Sequence, residues 1–329
     1  MRYYSKRCEL DGTIDKFESG ASKGRRRQLK RKMLAAMVLY QWNFEEFFLF
    51  DYEHLSNSER KAFVPEYEKN VFCDMVNDAK TADVFYDKWA TYLSFRRFFG
   101  RDVIEIRDIS DLQSDKVTNF LKSHSSFIVK PVSQACGRGI EILKSSPTKS
   151  AEEQLKTILE VNKGAYVLEE LIVQNEIMAS FHPQSVNTIR IPTIRVNEGA
   201  EIIHPYMRIG QGSAVVDNAG AGGIICNLNP QTGEVIAACD EAGHKFSVHP
   251  DTGKKIIGFI VPRWQEAVEK TKELADVLPN VKYVGWDLAL TDNGWIMIEG
   301  NDKGQFVFQY PSHEGFRTEF ESIKKRVKR

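Results

Sequence analysis

Asp287, Glu299 and Asn301 are the residues of this chain best spaced to hold a cation. They flank Asp292-Asn293-Gly294, a turn signal between two alternating apolar runs that reads as a β-hairpin. If those three residues form a type I turn with Gly294 left-handed, the cross-strand pairs are Thr291/Trp295, Ala289/Met297 and Asp287/Glu299. Asn301, two residues beyond Glu299, then shares their face, because strand side chains alternate with period two. Two carboxylates directly opposite repel unless something neutralises them. An all-oxygen cluster suits Mg²⁺, with phosphates completing the octahedron. A two-residue Asn293-Gly294 loop would instead put the carboxylates on opposite faces, as ordinary solvent-facing acids beside a turn.

The candidate anion-binding residues lie upstream. Lys130 ends an apolar run that opens into a loop containing Ser133, Gly137 and Gly139, where glycine lets backbone N-H groups approach a ligand. The loop lacks the GK[ST] of a P-loop and the third glycine of a dinucleotide fingerprint, so an ordinary hairpin loop stays open. Lys88 stands near the start of a helix closed by Gly100, a position where the macrodipole disfavours a cation. It serves an anion there, or is a plain exposed lysine. Glu169 and Glu170 interrupt the apolar stretch 165–173 and need partners, with edge-strand salt bridges as the simple alternative. Arg190 and Arg208 fall in an antiparallel pair, 186–196 and 200–209, turning at Asn197-Glu198-Gly199. Strand arginines serve carboxylates or phosphates, or line an exposed sheet face. The stretch 217–223 is a flexible loop suited to close backbone approach.

The elements that must position these groups begin with a mostly helical stretch to about residue 85. Its segment Lys23 to Lys32 is strongly basic and runs into the apolar residues 33–40. Such a helix can sit on a membrane surface or a polyanion. A solvated face is the favoured reading, since the rest of the chain is not basic. The aromatic stretch 40–52 reads as core or a partner surface. Ser58 is the expected N-cap of the next helix, Ser150 with Glu153 forms a capping box, and a further helix covers 262–278. With 45 residues of each charge sign there is no bulk field to attract nucleic acid or an anionic membrane. Five scattered cysteines without CxxC spacing argue for reduced thiols. The chain shows neither a signal-peptide core nor a spanning apolar run, so a cytoplasmic location without stable membrane insertion is expected.

Singly these signals are weak, but in order they are specific. A lysine at a helix start, a strand ending in lysine, a glycine loop, an acidic strand, arginine strands and a D…E-x-N hairpin together resemble the ATP-grasp superfamily over about Lys88 to Gly304. Ser185-Val186-Asn187-Thr188-Ile189-Arg190 and Gly285-Trp286-Asp287, with the helical N-terminal part, resemble the sugar-transfer-associated group related to α-L-glutamate ligases. The resemblance implies an α+β fold of two lobes gripping ATP, divided as residues 1–85 (helical), 86–175 (lysines and glycine loop) and 176–329 (arginines and metal hairpin). It implies that Lys88 and Lys130 hold phosphates beneath a closing loop 133–139. Glu169, Glu170 and the backbone at Ile172 would meet adenine, and Glu176 the ribose. Asp287, Glu299 and Asn301 would hold Mg²⁺, while Arg190, Arg208 and Lys130 would face the transferred groups.

The activity so implied is an ADP-forming carboxylate-amine ligase working through an acyl phosphate on small-molecule acids and amines, in polysaccharide or natural-product assembly. A kinase on the same scaffold and a non-catalytic nucleotide-binding partner are the alternatives. The acid, the amine and the oligomeric state, homodimer included, are not readable from the sequence.

Overall fold

The computed structural model describes residues 2–133, 139–146, 149–162, 164–197, 199–217, 220 and 222–327, with side chains from residue 9 onward. Helices dominate up to Phe99, among them Arg2–Phe17, Lys23–Tyr40, Phe44–Leu49, Asn57–Ala62, Glu66–Val76 and Lys88–Phe99. Their starts are set by side chains that satisfy free backbone N-H groups: Ser22 for the second, and capping boxes Asn43/Glu46 and Ser56/Glu59 for the next two. Ser56, not the expected Ser58, is the cap, because Ser56 has a glutamate three residues on and Ser58 has Lys61.

The basic helix finds its counter-charges within the chain. Arg25 bonds Glu18 and Glu53, Lys32 bonds Glu53, and Arg26 and Lys30 meet Asp11. Below it, Trp42, Phe47, Phe50, Tyr52 and Phe63 form an aromatic core with ring centroids 4.5–5.9 Å apart.

Glu46 is sealed under this core at 3 % exposure, accepting hydrogen bonds from the Asn43 N-H (2.7 Å) and the Glu66 N-H (2.6 Å). Burial pushes its carboxyl from 4.5 up to about 7. With the folded value above the unfolded one, its contribution to stability is complete below about pH 4.5 and is lost as pH rises through about 7. Comparing denaturant midpoints of wild type and Glu46→Gln across that window should show wild type losing ground as pH rises. Parallel curves would contradict this.

Two antiparallel sheets follow. The smaller contains β1 (Val103–Ile106), β2 (Ser126–Pro131), β3 (Glu141–Lys144) and β4 (Tyr166–Glu170) in the order β1-β4-β2-β3. Helices Asp115–Ser123 and Ala151–Val161 cover it, packing Val117, Phe120, Leu155 and Ile158 on Phe127, Val129 and Leu168. The second of these helices starts in the expected Ser150/Glu153 box. The acidic strand β4 is interior, not at an edge, so its glutamates cannot rely on solvent.

The larger sheet comprises β5 (Ile189–Val196), β6 (Gly199–Ile202), β7 (Tyr206–Ile209), β8 (Ile224–Leu228), β9 (Val235–Cys239), β10 (Tyr283–Thr291) and β11 (Gly294–Asn301). Its order is β11-β10-β5-β7-β8-β9, with β6 also on β5. The expected continuous strand 200–209 is broken into β6 and β7. His204 turns with φ 36° and Pro205 has no N-H to donate. Helices Lys88–Phe99 and Trp264–Val277 pack into the same core as Ile189, Ile191, Trp286 and Leu288.

The hairpin tip also differs from expectation. Thr291 pairs with Gly294, leaving a two-residue loop Asp292-Asn293, and that register continues through Leu288/Met297. Carried on, it would set Asp287 opposite Ile298. A β-bulge at Ile298 absorbs one residue, and beyond it Asp287 pairs with Glu299, Trp286 with Gly300 and Gly285 with Asn301. The carboxylates end up opposite one another through the bulge, not through the turn.

Candidate active site

Hydrogen-bonded pairing aligns Glu299 on β11, Asp287 on β10, Arg190 on β5 and Tyr206 on β7 as one row across four strands. Arg208 stands two residues beyond Tyr206, on the same face. The arginines that could have lain on an exposed face are therefore drawn onto Asp287. Arg190 grips it bidentately, Nε to Oδ1 and Nη2 to Oδ2, both 2.5 Å, and Arg208 Nη2 reaches Oδ2 at 2.8 Å. Asp287 is 1 % exposed. Burial opposes its ionisation, but the two guanidiniums outweigh that cost and hold its carboxyl at about 2.

Glu299 is in the opposite situation. Among the described residues its closest cation is Arg190, 3.7 Å away, and about half its side chain, 53 %, stays exposed. The surrounding protein and then the Asp287 charge push its carboxyl above the ordinary range. Asn301 Nδ2 bonds Glu299 Oε1 at 3.3 Å. The intervening Gly300 is required by packing, since a Cβ there would come within 2.6 Å of the Phe85 ring.

Above the row lies a cleft of about 680 Å³, lined by Lys88, Lys130, Ser133, Arg190, Arg208 and Glu299 among others. Lys130, on β2, forms an ion pair of 2.9 Å with Glu169. Lys88 begins its helix under the Asp87 cap and donates from Nζ to the Pro131 carbonyl (3.0 Å). Burial, and then the Lys130 charge, lowers the Lys88 ammonium from its ordinary value. Two partly desolvated cations side by side are an arrangement that an anion stabilises.

The expected adenine and ribose contacts are less gathered. Glu169 lines the cleft, yet both its oxygens are committed, one to Lys130 and one to Arg101 (2.7 and 3.0 Å), which hold it at about 2 against the cost of burial. Glu170 points the other way, as strand alternation demands, accepting from the Asp102 N-H at 3.1 Å. Ile172 lies in the coil after β4, and Glu176 is exposed at the start of the short helix Glu176–Ala179; neither lines the cleft among the described residues. Gly139 has φ 67° beside the lining residue Ile140, whereas Gly137 lies outside the described residues.

Two participants were not singled out from the sequence. Arg101 joins the sheets: besides Glu169 on β4 it donates Nη1 to the Met297 carbonyl of β11 at 2.7 Å. Asp217, buried at 6 %, accepts from the Thr188 N-H (2.9 Å) and hydroxyl and lies 3.6 Å from Arg208, fixing the loop that leaves β7. Neither belongs to a local motif. Asp217 sat in a stretch read only as flexible, and Arg101 carried no signal beyond being an arginine beside a strand.

Asp287 receives three N-H groups and a carboxylate offers about four acceptor sites. Among the described residues the nearest cation to Glu299 is Arg190, no closer than 3.7 Å, and Asn301 adds an amide oxygen, so an oxygen-seeking divalent ion fits. Among the described residues no helix is long and apolar enough to cross a membrane.

Several solved structures are similar at low identity. The ADP complex of purK, an N5-carboxyaminoimidazole ribonucleotide synthetase, shares 12 % identity over 68 % of this chain and 46 % of its own, with TM-score 0.44. This chain thus spans less than half of that one. D-alanyl-alanine synthetase A from Vibrio cholerae shares 12 % over 76 % and 67 % (TM-score 0.47), and the ATP-grasp ligase PsnB 11 % over 83 % and 70 % (TM-score 0.46). No curated protein matches the chain in sequence. The family model for sugar-transfer associated ATP-grasp proteins matches residues 67–325, covering both sheets, the lysines and the carboxylate row, and the chain belongs to that family.

Proposed function

We propose that the protein is an ATP-dependent carboxylate-amine ligase, forming an amide through an acyl phosphate. The observation that carries this reading is the composition of the cleft: Lys88 and Lys130 from one side, Arg190 and Arg208 with Glu299 from the other. Phosphoryl transfer demands positioning and charge neutralisation more than acid-base chemistry. Two lobes, 86–175 and 176–329, would hold the nucleotide between the small sheet and the large one. Lys88 and Lys130 would bind its phosphates, Ser133 with Gly137 and Gly139 would cover them, and Glu169, Ile172 and Glu176 would surround the nucleoside. Asp287, Glu299 and Asn301 would hold Mg²⁺, which when bound supplies neutralising charge to the phosphates.

In this reaction a substrate carboxylate oxygen attacks the γ-phosphorus of ATP and ADP leaves. An amine then attacks the acyl carbon, releasing phosphate and a proton. Arg190 and Arg208 would orient the acid and balance charge gathering on the transferred group. Closure of the loop after Lys130 would keep water from the acyl phosphate.

Incubation with MgATP, hydroxylamine and a panel of sugar acids and amino acids tests this. Hydroxamate formed together with ADP supports a ligase. A stable phosphoester would favour the kinase alternative, and no ADP from any acid would favour a non-catalytic nucleotide-binding protein. Assembly of polysaccharide or natural products is the setting in which we place the reaction.

A further inference from the structure

We propose that Asp102, His124 and Glu170 form a site for a divalent first-row transition metal ion, on the side of β4 opposite the cleft. These three side chains place their ligand atoms within 4.8 Å of one another. They come from three elements: Asp102 just before β1, Glu170 at the end of β4, and His124 directly after the helix Asp115–Ser123.

The histidine is set as a ligand would be. Its Nδ1 lies 3.0 Å from the Phe120 carbonyl, which can only accept, so Nδ1 carries the proton and the ring is packed on Phe120 at 4.5 Å between centroids. A backbone carbonyl on the far nitrogen is the usual way a metal-binding imidazole is oriented. Nε2 is thereby turned toward Asp102 Oδ2 at 3.6 Å and Glu170 Oε2 at 3.8 Å. Those separations are too long for hydrogen bonds. They are close to the spacing between neighbouring ligands bound at about 2.0–2.2 Å to a tetrahedral ion. One imidazole nitrogen with two carboxylates suits zinc or manganese better than magnesium, which prefers oxygen alone. Asp102, with 72 % of its side chain accessible, leaves room for water to complete the coordination.

The backbone is prepared for the load. Asp102 and Glu170 are already tied by the Glu170 N-H to the Asp102 carbonyl at 2.9 Å and the Asp102 N-H to the Glu170 carboxylate at 3.1 Å, so the Glu170 carboxylate and the Asp102 backbone are held before any ion arrives. A bound ion would join the start of β1, the end of β4 and the helix end, immediately before Leu171 and Ile172.

Calorimetric titration of chelator-treated protein with Zn²⁺, without nucleotide, tests the proposal. Glu299→Gln is titrated in parallel to separate this site from the cleft carboxylates, and anomalous diffraction at the zinc edge locates the ion. One ion between the three side chains is expected, with affinity lowered roughly tenfold or more in His124→Ala and in the better-packed His124→Gln. Zinc bound elsewhere only, no binding, or affinity unchanged in both histidine variants would overturn it.

Discussion

Asp287→Asn is expected to remove turnover and to destabilise the fold by about 3–5 kcal/mol, whereas Glu299→Gln removes turnover alone. The difference follows from their partners. Asp287 is the only carboxylate within hydrogen-bonding distance of both Arg190 and Arg208 among the described residues, and an amide there leaves two buried guanidiniums with only the longer ion pairs to Glu299 (3.7 Å) and Asp217 (3.6 Å). Glu299 contributes no such pair. Its carboxyl is held above the ordinary range by the protein around its inner side and by the Asp287 charge, while half the side chain stays exposed, so a neutral isostere should leave unfolding midpoints near wild type. Turnover in both should fall by about a hundredfold or more, the usual loss when one element of a preorganised electrostatic site is removed. ADP release and denaturant unfolding, measured on both variants, check the pair of outcomes. Near-full activity in either would show the metal assignment to be wrong.

Arg101→Met should be the most damaging change outside the carboxylate row. Arg101 supplies one of the two cations on buried Glu169 and donates to the carbonyls of Phe99 (3.1 Å) and Met297 (2.7 Å), tying the small sheet to the hairpin strand. Its loss leaves Glu169 with Lys130 alone and two carbonyls without this donor, a change expected to cost about 3–5 kcal/mol. Lys130 would be drawn further toward Glu169, so ATP affinity should fall as well. Arg101→Lys keeps the charge but not the fork, and should recover only part of either loss. Unfolding midpoints and nucleotide titration distinguish these effects. An Arg101→Met protein within about 0.5 kcal/mol of wild type, the range of an ordinary surface change, would contradict the bridging role.

Much of this arrangement was legible in the sequence where the signal was local. The capping box at Ser150 and the helix that starts near Lys88 and ends before Gly100 are both read over a few residues, whereas Glu170, expected beside Glu169, is turned away from it by strand alternation. The facing of Asp287 and Glu299 was also anticipated, but through the wrong loop. A three-residue turn and a two-residue turn with one bulge give the same register beyond the bulge, and nothing in Ile296-Met297-Ile298 distinguishes them. What sequence could not supply were pairings set by strand order. That β4 is interior, that Arg101 reaches Met297 and that Asp217 closes on Thr188 depend on segments distant in the chain. The break at His204-Pro205 is signalled by the proline, which outweighs the apolar alternation of 200–209.

In the proposed reaction the cationic cleft transfers the γ-phosphoryl group of ATP to a carboxylate. This transfer is tested most directly by giving the enzyme an acid labelled with heavy oxygen in its carboxyl group, together with MgATP and an amine. Mass spectrometry of the released phosphate then reads the outcome. One labelled oxygen per phosphate is the result predicted, since the acyl phosphate must surrender it when the amide forms. Phosphate free of label while ADP accumulates would contradict the account.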